Sequence, residues 1–127
     1  MFKLQKIVGG RINVGEPEIQ VAGAEITHGQ ALKLSGGKLV GCTGAEAPTY
    51  IAHGAGKDGD NVAVYAVSEG MVFEVPCSAD LAALKPGDKV TIGADGLTVT
   101  ATTEGGVATI ICTNNAEQAG DIIVVKF

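Results

Sequence analysis

Gly54-Ala55-Gly56-Lys57-Asp58-Gly59-Asp60-Asn61-Val62-Ala63-Val64-Tyr65-Ala66-Val67-Ser68-Glu69-Gly70-Met71-Val72-Phe73-Glu74-Val75-Pro76 decides between two folds. Its first six residues reproduce the glycine spacing of a dinucleotide-binding loop. Such a loop works only when a helix follows, because the N–H groups at the helix start meet the pyrophosphate. Here Asn61-Val62-Ala63-Val64-Tyr65-Ala66-Val67 follows, with the alternation and β-branching of a strand. The glycines therefore belong to a hairpin or loop. Lys57 is followed by Asp58 rather than Ser or Thr, so a phosphate-binding P-loop does not fit either.

The same pattern extends in both directions. Short runs of Val, Ile, Thr and Ala are broken by Gly, Asp and Asn roughly every eight to twelve residues, as in an all-β sandwich or barrel. Strands are predicted at 19–22, 31–34, 38–42, 50–53, 61–67, 72–76, 89–92, 97–101, 107–112 and 122–127. Ser35-Gly36-Gly37, Gly93-Ala94-Asp95-Gly96 and Glu104-Gly105-Gly106 supply glycines for tight hairpins. The core is expected to include Val62, Val64, Val72, Val75, Val90, Ile92, Val107, Ile110 and Ile123. One segment differs: Ser78 to Pro86 opens with a capping side chain, continues through Asp80-Leu81-Ala82-Ala83-Leu84, and stops at Lys85-Pro86. It predicts a single short helix crossing one end of the domain.

The chain has 127 residues, 46% of them apolar, so one domain with a real core is expected. Nine basic against 14 acidic residues leave a net charge of -5 and argue against a nucleic-acid partner. No run approaches the roughly 18 apolar residues of a membrane span, and the start lacks the apolar stretch of a signal peptide. The expectation is a protein made in the cytoplasm, with no membrane partner. Cys42, Cys77 and Cys112 are an odd set without a secretory signal, so buried, reduced thiols are expected. Their spacing of 35 residues brings Ser68–Ser78 into alignment with Thr103–Thr113, two similar turn-plus-strand units.

Few residues offer chemistry. Two histidines and three scattered cysteines match no metal-ligand spacing, so no metal or other cofactor is expected. His28 precedes Gly29 at a turn, and His53 ends a strand as a polar rim residue. No Gly-x-Ser-x-Gly elbow occurs. Cys77, between Pro76 and the predicted helix, is the one reactive-thiol candidate, because a helix N-terminus lowers a thiol pKa, but structural burial is the favoured reading for it. Asp58 with Asp60, and Glu16 with Glu18, stand in loops without a catalytic context. With no Trp and few aromatics, stacking platforms for sugars or single strands are absent as well. The competing readings are a small-ligand β-barrel and a thiol-dependent enzyme acting through Cys77; the expectation is no enzyme.

Residues 1–17 read as a separate extended arm, with 18–127 as the single β domain. Lys3, Lys6 and Arg11 precede the first acid, Glu16, giving +3 before it against -8 for the rest. Gly9-Gly10, Gly15 and Pro17 interrupt regular structure. Phe2, Leu4, Ile7, Val8, Ile12 and Val14 make this an apolar, basic segment suited to lying on another protein.

The order of elements resembles the small capsid decoration, or cement, proteins of tailed bacteriophages. The resemblance runs from about Val21 to Val125. It is carried by Gly29 before Ala31-Leu32-Lys33-Leu34, then Gly37-Lys38-Leu39-Val40, Tyr50-Ile51-Ala52-His53-Gly54, Gly59-Asp60-Asn61-Val62-Ala63-Val64-Tyr65 and Glu69-Gly70-Met71-Val72-Phe73-Glu74-Val75-Pro76. The Ala-rich segment and Leu84-Lys85-Pro86-Gly87-Asp88-Lys89-Val90 complete it. The resemblance implies a small β-barrel or tulip-like domain with no enzymatic role. It also implies a homotrimer on the outer capsid surface of the virion, where it bridges copies of the major capsid protein and stabilises the expanded shell. Such proteins reach onto the shell with an N-terminal arm, which here would be Phe2, Lys3, Leu4, Lys6, Ile7, Val8, Arg11, Ile12 and Val14. Related head-fibre bases and tail proteins share these short motifs.

Overall fold

The computed structural model describes residues 1–7, 17–78, 84–102, 104–116 and 118–127, and among them it holds eleven strands and no helix. In chain order these are β1 (Lys3–Ile7), β2 (Glu18–Val21), β3 (Ala31–Ser35), β4 (Lys38–Gly41), β5 (Tyr50–Ala52), β6 (Asn61–Ala66), β7 (Met71–Pro76), β8 (Lys89–Ile92), β9 (Val99–Ala101), β10 (Ala108–Cys112) and β11 (Ile122–Lys126).

One turn design recurs before five of them. In Thr27–Gln30, Lys57–Asp60, Ser68–Met71, Lys85–Asp88 and Gln118–Asp121 the N–H of the fourth residue donates to the carbonyl of the first, at 2.9 to 3.3 Å. The third residue is always glycine with φ between 81° and 95°, the left-handed position that a type II turn requires and side chains resist. In four of the five, the fourth side chain (Gln30, Asp60, Asp88 or Asp121) accepts the N–H of the first residue. The local sequence thus starts β3, β6, β7, β8 and β11 without help from the rest of the chain. Between β3 and β4, Ser35 pairs with Lys38 and leaves a two-residue loop, Gly36-Gly37, with both φ positive, as a type I′ hairpin demands.

The strands form two antiparallel sheets, ordered β1-β7-β11-β10-β8-β9 and β2-β6-β5-β3-β4. Each sheet curls toward closure. The smaller brings its outer strands together at one parallel bridge, Ala22 to Leu39, beside a Gly23 N–H to Leu39 carbonyl bond of 2.8 Å. In the larger, Cys77 bridges Val99 in parallel, and Ser78 N–H donates to the Val99 carbonyl at 2.8 Å. Neither seam is a continuous ladder. Of the predicted sandwich or barrel, a sandwich-like pair of curled sheets is what forms. The sheets are tied by the Gly44–Ile92 bridge and by Ala31 N–H on the Gly96 carbonyl at 2.8 Å.

Alternation along the strands sorts side chains into two cores. The main one lies between the sheets and contains Phe2, Ile51, Phe73, Val75, Val90, Ile92, Val99, Ile110, Ile123 and Val125. A smaller one, with Ala22, Ile26, Leu32, Leu39, Ala52, Val62 and Val64, fills the curl of the five-stranded sheet. Every predicted core residue is buried except Val107, which is half-buried because it precedes β10.

Two expectations need correction. Of the helix predicted from Ser78 to Pro86, residues 79–83 lie outside the described residues. The flanks are not helical: Ser78 is tied to Val99, and Lys85 and Pro86 open the turn into β8. The larger correction concerns the N-terminal arm. Residues 1–7 do not stand apart from the domain. β1 pairs antiparallel with β7 through Lys3–Glu74, Leu4–Phe73, Lys6–Val72 and Ile7–Met71, and forms an edge of the six-stranded sheet. The reason is the apolar alternation of Phe2 and Leu4, which gives this strand a face to bury.

Candidate functional site

The segment expected to meet a partner is best built up from Phe2. Its side chain is 2% exposed and packs edge-on against Phe73 (ring centroids 6.4 Å apart) and tilted against Phe127 (5.4 Å). Its N–H donates to the Gly29 carbonyl at 2.8 Å. Phe2 is therefore a core residue of this domain rather than part of a detached arm. Leu4 is half-buried against the same core, while Lys3 is exposed. Lys6 and Ile7 are backbone partners of β7. Val8, Arg11, Ile12 and Val14 lie outside the described residues.

Among the described residues β1 has a strand neighbour on one side only, and beside it a cleft of about 310 Å³ opens toward the smaller sheet. Its floor is apolar, made by the buried Phe2, Ile51 and Ala52. Its rim is made by the exposed His28 and His53, with Tyr65 half-buried between floor and solvent. His53 Nε2 and the Tyr65 hydroxyl are 3.3 Å apart, and their rings stack at 4.5 Å. His28 meets His53 edge to face at 5.7 Å. The type II turn at Thr27–Gln30 delivers His28, the end of β5 delivers His53, and the outward alternation of β6 delivers Tyr65 opposite Ile51. No local pattern hints that these three residues meet; alternation over Phe2-Lys3-Leu4-Gln5 is the signal for β1.

The thiols divide by burial. Cys77 is 1% exposed at the Val99 bridge, which is the structural burial expected of it rather than the exposure a reactive thiol needs. Cys42 is buried as well, and removal from water pushes its thiol up to about 11, with the Glu46 carboxylate adding in the same direction. Cys112 is exposed, contrary to a fully buried set; its Sγ accepts the Asn114 N–H at 3.4 Å. On the surface near Cys42, Lys33 Nζ meets Glu46 at 2.6 Å, and this contact holds the Glu46 carboxyl below its usual range. Among the described residues no group of three or more His, Cys, Asp or Glu side chains is placed to hold a metal ion. No helix among them is long and apolar enough to cross a membrane.

The fold has a solved counterpart. The chain is similar to the N base of head fiber gp8.5 in bacteriophage phi29, known from its crystal structure, with a TM-score of 0.62 and 20% sequence identity. The superposition covers 87% of this chain and 91% of that one, so the likeness takes in both sheets rather than one hairpin. No protein-family model and no curated protein matches the chain. At this identity the likeness speaks for the fold. It leaves the cleft, whose rim residues come from a turn, a strand end and a strand face, as a feature of this sequence to be explained on its own chemistry.

Proposed function

We propose that this chain is a structural protein of a bacteriophage head, carried on the outer surface of the capsid. The observation that carries the reading is the near end-to-end likeness to a head-fiber base, reached independently of the sequence resemblance to capsid decoration proteins. On this reading the protein is a cement protein without catalytic activity. It assembles as a homotrimer, and each copy bridges neighbouring major capsid subunits. A single domain offers only a modest contact area, so the stabilisation comes from many copies engaged at once. The charge of -5 keeps it soluble before assembly.

The test is direct. Peptide mass spectrometry of purified virions should find the chain, immunogold labelling should place it on the head, and sedimentation of the pure protein should give a trimer. Heads lacking it should release DNA at lower temperature or lower salt. Absence of the chain from purified particles would overturn the reading, and a label confined to the tail would reassign it to another part of the virion.

A further inference from the structure

The cleft beside β1 is unusual for this molecule in its charge. The chain carries 14 acids against nine basic residues, yet none of the described residues lining the cleft is an Asp or Glu. What lines it instead is Lys3, two imidazoles and a phenol, around an apolar floor. The nearest acid on β1's partner strand, Glu74, is engaged by the Gln5 amide at 3.2 Å. His53 and Tyr65 are bonded to each other at 3.3 Å; in the tautomer in which Nε2–H donates to the phenol oxygen, the Tyr65 O–H remains as an outward donor, beside an N–H of His28. A cationic visitor would find no counter-charge among the described lining residues, and a purely apolar one would leave the outward donor of the His53–Tyr65 pair facing it unpaired. The volume, about 310 Å³, suits one or two side chains.

We propose that this cleft receives a carboxylate-bearing segment of the major capsid protein: an Asp or Glu side chain on the Tyr65 hydroxyl, which His53 orients, and on His28, with a neighbouring aliphatic side chain on Ile51 and Ala52. The inference rests on the head-protein reading above and names the partner chemistry of its contact. The open edge of β1 runs along the cleft, so an extended segment also has a strand to lie beside.

Co-sedimentation of the full chain with heads that lack it tests the inference. The double variant His28→Glu, His53→Glu sets two carboxylates at the rim, on exposed residues that the fold does not need. Lys57→Glu, on the exposed 57–60 turn, changes the net charge by a similar amount away from the cleft. A loss of at least about tenfold for the double variant is expected, with Lys57→Glu close to the parent and His53→Gln, which keeps a donor, partly retained. Thermal melting confirms that each variant is folded; should the double variant not fold, Tyr65→Phe, which removes only the hydroxyl, takes its place with a smaller expected loss. Parent-like binding by the cleft variants, or an equal loss with Lys57→Glu, would overturn this inference and leave the head-protein reading standing. Failure of the parent chain to bind heads at all would instead overturn that reading, and the proposed occupant with it.

Discussion

Replacing Phe2 by Ala should destabilise the whole domain, because the first residues are part of its core. The side chain is 2% exposed and wedged between Phe73 and Phe127. Burying a phenylalanine removes about 150 to 200 Å² from water, worth about 4 kcal/mol at 25 cal/mol per Å². Truncation of core aromatics costs about 3 to 5 kcal/mol. The strand is at a sheet edge and can release partly without global unfolding, which brings the expected loss toward about 3 kcal/mol. For a domain of this size that is a fall in melting temperature of roughly 10 °C. Circular dichroism in a urea series reads it, since the chain has no Trp for fluorescence. Lys3→Ala, one residue along and exposed, should stay within about 0.5 kcal/mol. A Phe2→Ala protein that melts with its parent would refute the reasoning and restore a detached arm. For the same reason, removing residues 1–17 should destabilise the body rather than leave its transition unchanged.

Gly23→Ala should cost more than a surface glycine change, because the added Cβ would sit 2.9 Å from Lys38 Cβ and 3.2 Å from the Leu39 carbonyl, at the seam between β2 and β4; an unchanged urea midpoint would mean the seam is loose. Asp88→Ala should cost about 1 kcal/mol by releasing the Lys85 N–H that its carboxylate accepts at 3.0 Å, read from the same midpoints. In the native protein Cys112 should alkylate fully at pH 8 while Cys42 resists, and equal rates by peptide mapping would contradict the burial. Because folding raises the Cys42 pKa to about 11, the folded state holds its proton where the unfolded chain has lost it, so stability should fall as pH rises from about 9 toward 11. A Cys42→Ala variant should show a shallower fall, and an identical alkaline slope would assign the effect elsewhere.

Much of the architecture was legible because it is written locally. A glycine at the third turn position followed by Asp or Gln closes its own hydrogen bonds, so Gly59-Asp60 and Gly87-Asp88 announce a turn and then a strand wherever they occur. Ser35-Gly36-Gly37 likewise specifies a hairpin by φ alone. Alternation in Asn61–Ala66 and Met71–Pro76 identified strands and their buried faces, and it excluded a nucleotide loop at Gly54–Gly59. Those features depend on neighbours within about four residues, and the sequence by itself determined them.

Tertiary structure decided what depends on distant partners. Charge and glycine content made the first residues look like a separate arm, yet Phe2 finds its socket in Phe73 and Phe127, more than seventy residues away. The order of strands, and the curling that joins Ala22 to Leu39 and Cys77 to Val99, follow from which edges meet, a matter no local pattern contains. The cleft is the clearest case. His28, His53 and Tyr65 come from a turn, a strand end and a strand face, each ordinary in its own stretch of chain. They become one set of donors only because β5 pairs with β6 on one side and β3 on the other, which brings the turn before β3 beside them.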